Sequence, residues 1–98
     1  MYVRKLTLQL HHSEAGEFVR AIESEILPLL RKQPGFRDEL VLINRMAKHA
    51  EAITFWNSQE SADAFAKGPY SDMLKVLEKF IEDKPQVQEF QVAKTTLH

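Results

Sequence analysis

The sequence predicts one α+β domain of the β-α-β-β-α-β, ferredoxin-like type: a four-stranded antiparallel sheet with helices on one face. Three observations carry this expectation. Tyr2 to Leu10 alternates as a strand and leads into a long amphipathic helix. Gln33-Pro34-Gly35-Phe36 closes that helix, because Pro34 bars a helical conformation for Gln33 and Gly35 can take a positive φ. Phe55-Trp56-Asn57-Ser58-Gln59-Glu60-Ser61-Ala62 then turns an apolar strand into a second helix, with Asn57 or Ser58 as its cap.

In strand one, Leu6, Leu8 and Leu10 share a face opposite Lys5, Thr7 and Gln9. Ser13 caps helix one, with Glu14 and Glu17 near its positive end and Phe18, Val19, Ile22, Ile26, Leu29 and Leu30 on one stripe. Pro28 lies within that stripe; it lacks an amide hydrogen and crowds the carbonyl four residues back, so a kink near Ser24 or an early break is expected. Strand two is expected over Glu39 to Met46 and strand three over Glu51 to Trp56, joined through Ala47-Lys48-His49-Ala50. Leu40, Leu42 and Met46 point one way, Val41 and Ile43 the other, and Ile53 and Phe55 oppose Trp56. The second helix carries Ala62, Phe65 and Ala66, with Glu60 closing a capping box if Asn57 is the cap. Gly68-Pro69 interrupts it; helix resumes at Tyr70 or Ser71, runs through Met73, Leu74, Leu77, Phe80 and Ile81, and stops before Pro85. Val87 to Thr96 is the last strand.

Residues 1–98 suffice for one modest core. A net charge of −1 is too balanced for nucleic-acid binding, and no apolar run reaches the roughly 20 residues of a membrane span. Without cysteine there is no thiolate nucleophile, Cys-ligated metal or disulfide, which suits a reducing compartment; with no signal-peptide pattern at Met1-Tyr2-Val3-Arg4, a cytoplasmic protein is expected. The central strands are apolar on both faces and the helices cover one. A second copy of the chain is the simplest cover for the other, giving a homodimer through the sheet face.

Trp56 can stack on an aromatic ligand or donate its indole N–H to a ligand oxygen; the plainer reading is a core anchor. Tyr70, beside Gly68-Pro69, can present its hydroxyl to a cavity or cap the core. Asn44 and Arg45 interrupt strand two. Asn44 lines a pocket, bonds a neighbour or meets water near the sheet end, and Arg45 makes an interfacial ion pair or binds an anion. His11, His12, His49 and His98 have no metal-ligand spacing, and there is no phosphate loop, nucleophile elbow or paired-carboxylate motif. No metal and no cofactor are expected.

Pro34-Gly35-Phe36 after helix one, followed by the run Trp56 to Ala62, resembles the antibiotic biosynthesis monooxygenase domain family across nearly the whole chain. The resemblance implies a dimeric α+β barrel, in which the sheets of two copies pair. It also implies a cofactor-independent monooxygenase acting on a small aromatic, quinol-like or polyketide-like, with Trp56, Tyr70, Phe65 and Asn44 as substrate-pocket candidates. Departures from the family's branches are specific. The anthrone-oxidising branch has an Asn four positions before the Trp and a Tyr six after it, where this chain has Ala52 and Ala62. The haem-degrading branch has a Trp on the helix after strand three and a His on the next, where this chain has Phe65 and no histidine between Ser71 and Asp83. The alternative is a non-enzymatic homodimer of the same fold that binds a small ligand or serves a structural role.

Overall fold

A computed structural model describes residues 1–11 and 15–96; the expected cap Ser13, with Glu14, His12 and His98, lies outside the described residues. The elements are β1 (Tyr2–Gln9), α1 (Ala15–Ala21), a π-helical turn (Ile22–Ile26), α2 (Leu27–Arg31), β2 (Phe36–Asn44), β3 (His49–Trp56), α3 (Gln59–Lys67), α4 (Tyr70–Leu77) and β4 (Gln86–Gln91). The four strands form one antiparallel sheet in the order β2-β3-β1-β4, the split βαβ arrangement the sequence predicts.

Side chains alternate across this sheet with the period of two that a strand imposes. Tyr2, Leu6, Leu8, Ala50, Ala52 and Trp56 are buried on the face that meets Phe18, Ile22, Ile26, Leu30, Phe65, Met73 and Leu77 from the helices. On the opposite face lie Val3, Ile53 and Phe55 with the exposed Leu40, Leu42 and Phe90. The core is therefore one layer thick.

Pro28 leaves the first helix continuous but remodels it. Leu27 N–H donates to Ile22 O, five residues back, and Ser24 Oγ donates to Arg20 O at 2.8 Å. Widening the turn by one residue accommodates the proline ring, which would otherwise strike the carbonyl of Ser24. The kink expected near Ser24 thus takes the form of a π turn, and α4 packs against it.

Several expected boundaries move. β2 begins at Phe36, because a bulge between Phe36 and Asp38 leaves Arg37 unpaired and shifts the register by one residue while the ladder to β3 continues, and it ends at Asn44. Met46, expected beside Leu40 and Leu42, is in the turn and 97% exposed. Lys48, with φ of +53°, closes that turn, so His49 pairs with Asn44 inside the sheet rather than standing at the hairpin tip. The cap of α3 is Ser58, whose Oγ accepts from Ser61 N–H at 3.2 Å; no capping box forms on Asn57, which instead accepts from Arg37 Nη1 at 3.3 Å. The helix after Gly68-Pro69 ends at Leu77, and Ile81 bridges to Leu10 instead of continuing it. β4 ends at Gln91, five residues before Thr96.

The two sequence signatures meet in space. Asn57 N–H donates to Gly35 O at 2.8 Å, and the Phe36 and Trp56 rings cross edge to face at 5.6 Å. Gly35 has φ of +80°, and a Cβ there would lie 2.5 Å from Ser61 Cβ. Glycine is required both by conformation and by the close approach of α3.

Candidate functional site

Between the sheet and α4, one row of polar side chains crosses a face that is otherwise apolar. Glu39 on β2 is in register with Thr54 on β3, Thr54 with Arg4 on β1, and Arg4 with Glu89 on β4. All four share the helix-covered side, since Arg4 and Thr54 alternate in phase with the buried Leu6 and Ala52 of their strands, and Glu89 and Glu39 are their register partners. Thr54 Oγ1 donates to Arg4 O at 3.3 Å and accepts from Trp56 Nε1 at 2.9 Å. Arg4 is 8% exposed; its Nη1 is 3.6 Å from Glu89 Oε1, and its guanidinium lies 4.7 Å from the centre of the Tyr70 ring. The Nε of Arg4 is buried without a hydrogen-bond partner.

Two recesses flank this row. One is lined by Arg4, Leu6, Thr54, Phe65, Tyr70 and Met73. The other, of about 10 Å³, lies among Ile22, Ile26, Glu39, Val41, Thr54 and Met73. They share Thr54 and Met73. Both are tight: the first admits no water molecule and the second at most one.

The titrating groups here are displaced by burial. Desolvation raises the Glu39 carboxyl above the ordinary carboxylate range, and the neighbouring Asp38 charge adds to it. Burial likewise raises the Tyr70 hydroxyl, while the Arg4 cation pulls it back. A partly buried carboxyl with a raised pKa is the type of group that acid-base chemistry uses.

Of the expected pocket residues, the structure brings three together. Trp56 is fully buried, Phe65 lies 5.1 Å from it between ring centres, and Tyr70 follows at 6.1 Å from Phe65. The indole N–H of Trp56 is taken by Thr54, so its hydrogen bond serves the core. Asn44 is elsewhere: its Oδ1 accepts from Ala47 N–H at 3.1 Å in the β2–β3 turn, on the exposed face. Arg45 is exposed in the same turn.

Arg4, Glu39 and Thr54 were not singled out by the sequence reading. The signal was present for two of them. Arg4 is in phase with Leu6, Leu8 and Leu10, and Glu39 with Val41 and Ile43, so each is a charge on an apolar face. Among the described residues, no three His, Asp or Glu side chains gather as a metal site, and no helix is long and apolar enough to cross a membrane.

The fold recurs in solved structures. A monooxygenase from Streptomyces coelicolor in complex with nanaomycin D superposes with a TM-score of 0.80 at 15% identity, over 99% of this chain and 91% of that one. This is the ferredoxin-like α+β fold seen in antibiotic biosynthesis monooxygenase structures. The same fold relates the chain to SnoaB, a cofactor-independent oxygenase from Streptomyces nogalater, at TM-score 0.69 and 16% identity over 99% of this chain and 97% of the other. MhuD, solved with two manganese protoporphyrin IX molecules per active site, matches at TM-score 0.74 and 18% identity over 100% of both chains. No family sequence model and no curated sequence matches the chain. At these identities the monooxygenase fold is shared, and the chemistry must be argued from the side chains.

Proposed function

We propose that this protein is a cofactor-independent monooxygenase acting on a small electron-rich aromatic of quinol or polyketide type. The observation that carries the reading is the row Glu39–Thr54–Arg4, set against the rings of Trp56, Phe65 and Tyr70 under α4. The S. nogalater protein, which shares the fold, is a cofactor-independent oxygenase, and the S. coelicolor monooxygenase was solved with the ligand nanaomycin D.

In this scheme Glu39, whose raised pKa makes it a stronger base than an ordinary carboxylate, takes the proton of a phenolic hydroxyl. The substrate anion then reduces dioxygen by one electron, and the radical pair joins at a ring carbon bearing hydrogen. The peroxide takes back the proton held by Glu39, and the hydroperoxide so formed loses water and leaves a quinone. The protein's part is to dry the site, hold the anion and supply the base. Since the recesses are tight, the ring enters by displacing Tyr70 and Met73 of α4, which follows the interruption at Gly68-Pro69. Haem fits this layer poorly, because the described histidines, His11 and His49, lie at the end of β1 and the start of β3, away from it.

Oxygen uptake by metal-free protein over hydroquinols, dihydroxynaphthalenes and anthrones, corrected for autoxidation, tests the reading. Glu39→Gln is expected to lower turnover on the order of a hundredfold. The same variant has a stability signature. Because the folded pKa is raised, the unfolded chain releases this proton first, and stability falls as pH rises from 4.5 through the folded value. Glu39→Gln should therefore melt higher than wild type at pH 7, and the difference should vanish on acidification below pH 4.5. A constant difference across that range would contradict the burial of this carboxyl.

The tight closure of the layer favours a second reading, a ligand-binding or structural dimer of the same fold. Absence of uptake across the whole panel would select it. Both readings share a homodimer through the exposed sheet face, supported by the apolar group Val3, Leu40, Leu42, Ile53, Phe55 and Phe90. Leu40 is 46% exposed, so Leu40→Glu should leave the fold intact and convert a sedimenting dimer to a monomer. A variant that stays dimeric would place the interface elsewhere.

A further inference from the structure

We propose that Arg4 is the anchor for an ionised oxygen, so that the layer beneath α4 selects aromatic anions of the phenolate class over neutral rings of the same shape. The inference rests on the reading that this layer takes an aromatic, and it names the chemistry the ring must carry.

A guanidinium has five N–H donors in a fixed plane and is charged at every working pH. In Arg4 that group is almost wholly removed from water, among Leu6, Phe65 and Met73. Its compensation is incomplete. Glu89 approaches at 3.6 Å, well outside the roughly 2.7–2.9 Å of a charge-assisted hydrogen bond, and its side chain is 34% exposed, so water screens much of its charge. The Nε–H has no acceptor, and a buried donor left unpaired costs free energy that nothing else in the layer recovers.

Tyr70 lies over the guanidinium at 4.7 Å and meets Phe65 edge to face, which is a place built for a flat π-system on a cation. Tyr70 is half-buried and opens α4 directly after Gly68-Pro69, so it is the side chain best placed to give way. A phenolate entering there packs its ring against Phe65, where Tyr70 packs now, and meets the guanidinium edge-on. Its oxygen supplies the acceptor that Arg4 Nε–H lacks, in surroundings where the low dielectric strengthens the pairing. A neutral ring makes the same ring contact but brings only an uncharged acceptor to the guanidinium, which is the source of the selectivity.

The test uses 4-nitrophenol, whose absorbance reports its ionisation, and 4-nitroanisole, which has the same ring and cannot ionise. In wild type, bound 4-nitrophenol is expected to ionise at a pH at least one unit lower than when free, a tenfold preference for the anion. Arg4→Met should abolish that shift while 4-nitroanisole binds as to wild type, and Arg4→Lys should retain part of it. Bound 4-nitrophenol that ionises as it does in water, or a full shift in Arg4→Met, would overturn the assignment while leaving the aromatic site standing. Failure of wild type to bind either probe would remove the aromatic site and the anchor together. Should Arg4→Met not fold, the wild-type titration and Arg4→Lys decide the matter by the same criteria.

Discussion

Trp56→Ala is expected to destabilise the protein by about 4 kcal/mol, with a fall in Tm on the order of 20 °C. The residue has no exposed surface, and its ring holds Phe36 of β2 and Phe65 of α3 at 5.6 and 5.1 Å. Truncation leaves a cavity at the junction of sheet and helices, and packed neighbours relax into such a space only in part. It also deprives Thr54 Oγ1 of its donor, loosening the centre of the polar row. Trp56→Phe refills much of the space and loses mainly that hydrogen bond, a cost of about 1 kcal/mol. Thermal melts of both variants check this ranking. Oxygen uptake adds a further check: Trp56→Phe should keep most of its turnover, because the indole N–H is engaged inside the core. A folded Trp56→Phe without turnover would show that the indole itself touches substrate.

Gly35→Ala is expected to cost about 3 kcal/mol, through two separable effects. A φ of +80° is unfavourable for any residue with a Cβ, and the added carbon would lie 2.5 Å from Ser61 Cβ at the start of α3. Since Gly35 O also accepts Asn57 N–H, the chain cannot move away without giving up that bond. Pairing Gly35→Ala with Ser61→Gly removes the collision and leaves the backbone strain. The double variant should recover roughly half of the loss, and denaturant melts of the two would measure the coupling. Equal stability of the single and double variants would mean that conformation alone makes glycine necessary there.

The polar row explains why the candidate site was only half legible in the chain. Trp56, Phe65 and Tyr70 announced themselves as large rings beside turn signals, and the fold sets them in one line. Asn44 drew notice as a polar residue in an apolar run, but it stands at the strand's end, where its side chain accepts from Ala47 N–H to shape the turn. Residue type alone does not distinguish a turn cap from a pocket residue, because both are short polar groups near a sheet edge. Arg4 and Glu39 are the converse. Each lies in phase with buried residues of its own strand, yet their relation to one another depends on both being in register with Thr54. Strand register is a long-range property, and no local pattern in β1 or β2 specifies which residue of β3 will face it.

By itself, the amino-acid sequence determined the order of elements, the helix-facing stripe and the two turn signatures, because periodicity, proline and glycine act within a few residues along the chain. It also determined that Pro28 would disturb the first helix, since the lost amide and the crowded carbonyl are local facts. Only the tertiary structure decided that the disturbance becomes a π turn with α4 packed against it, that Gly35 and Ser61 touch, and that Glu39, Thr54, Arg4 and Glu89 align across four strands. Those outcomes depend on which distant segments are brought together, and on the desolvation that follows when a guanidinium and a carboxyl are covered by the same helix.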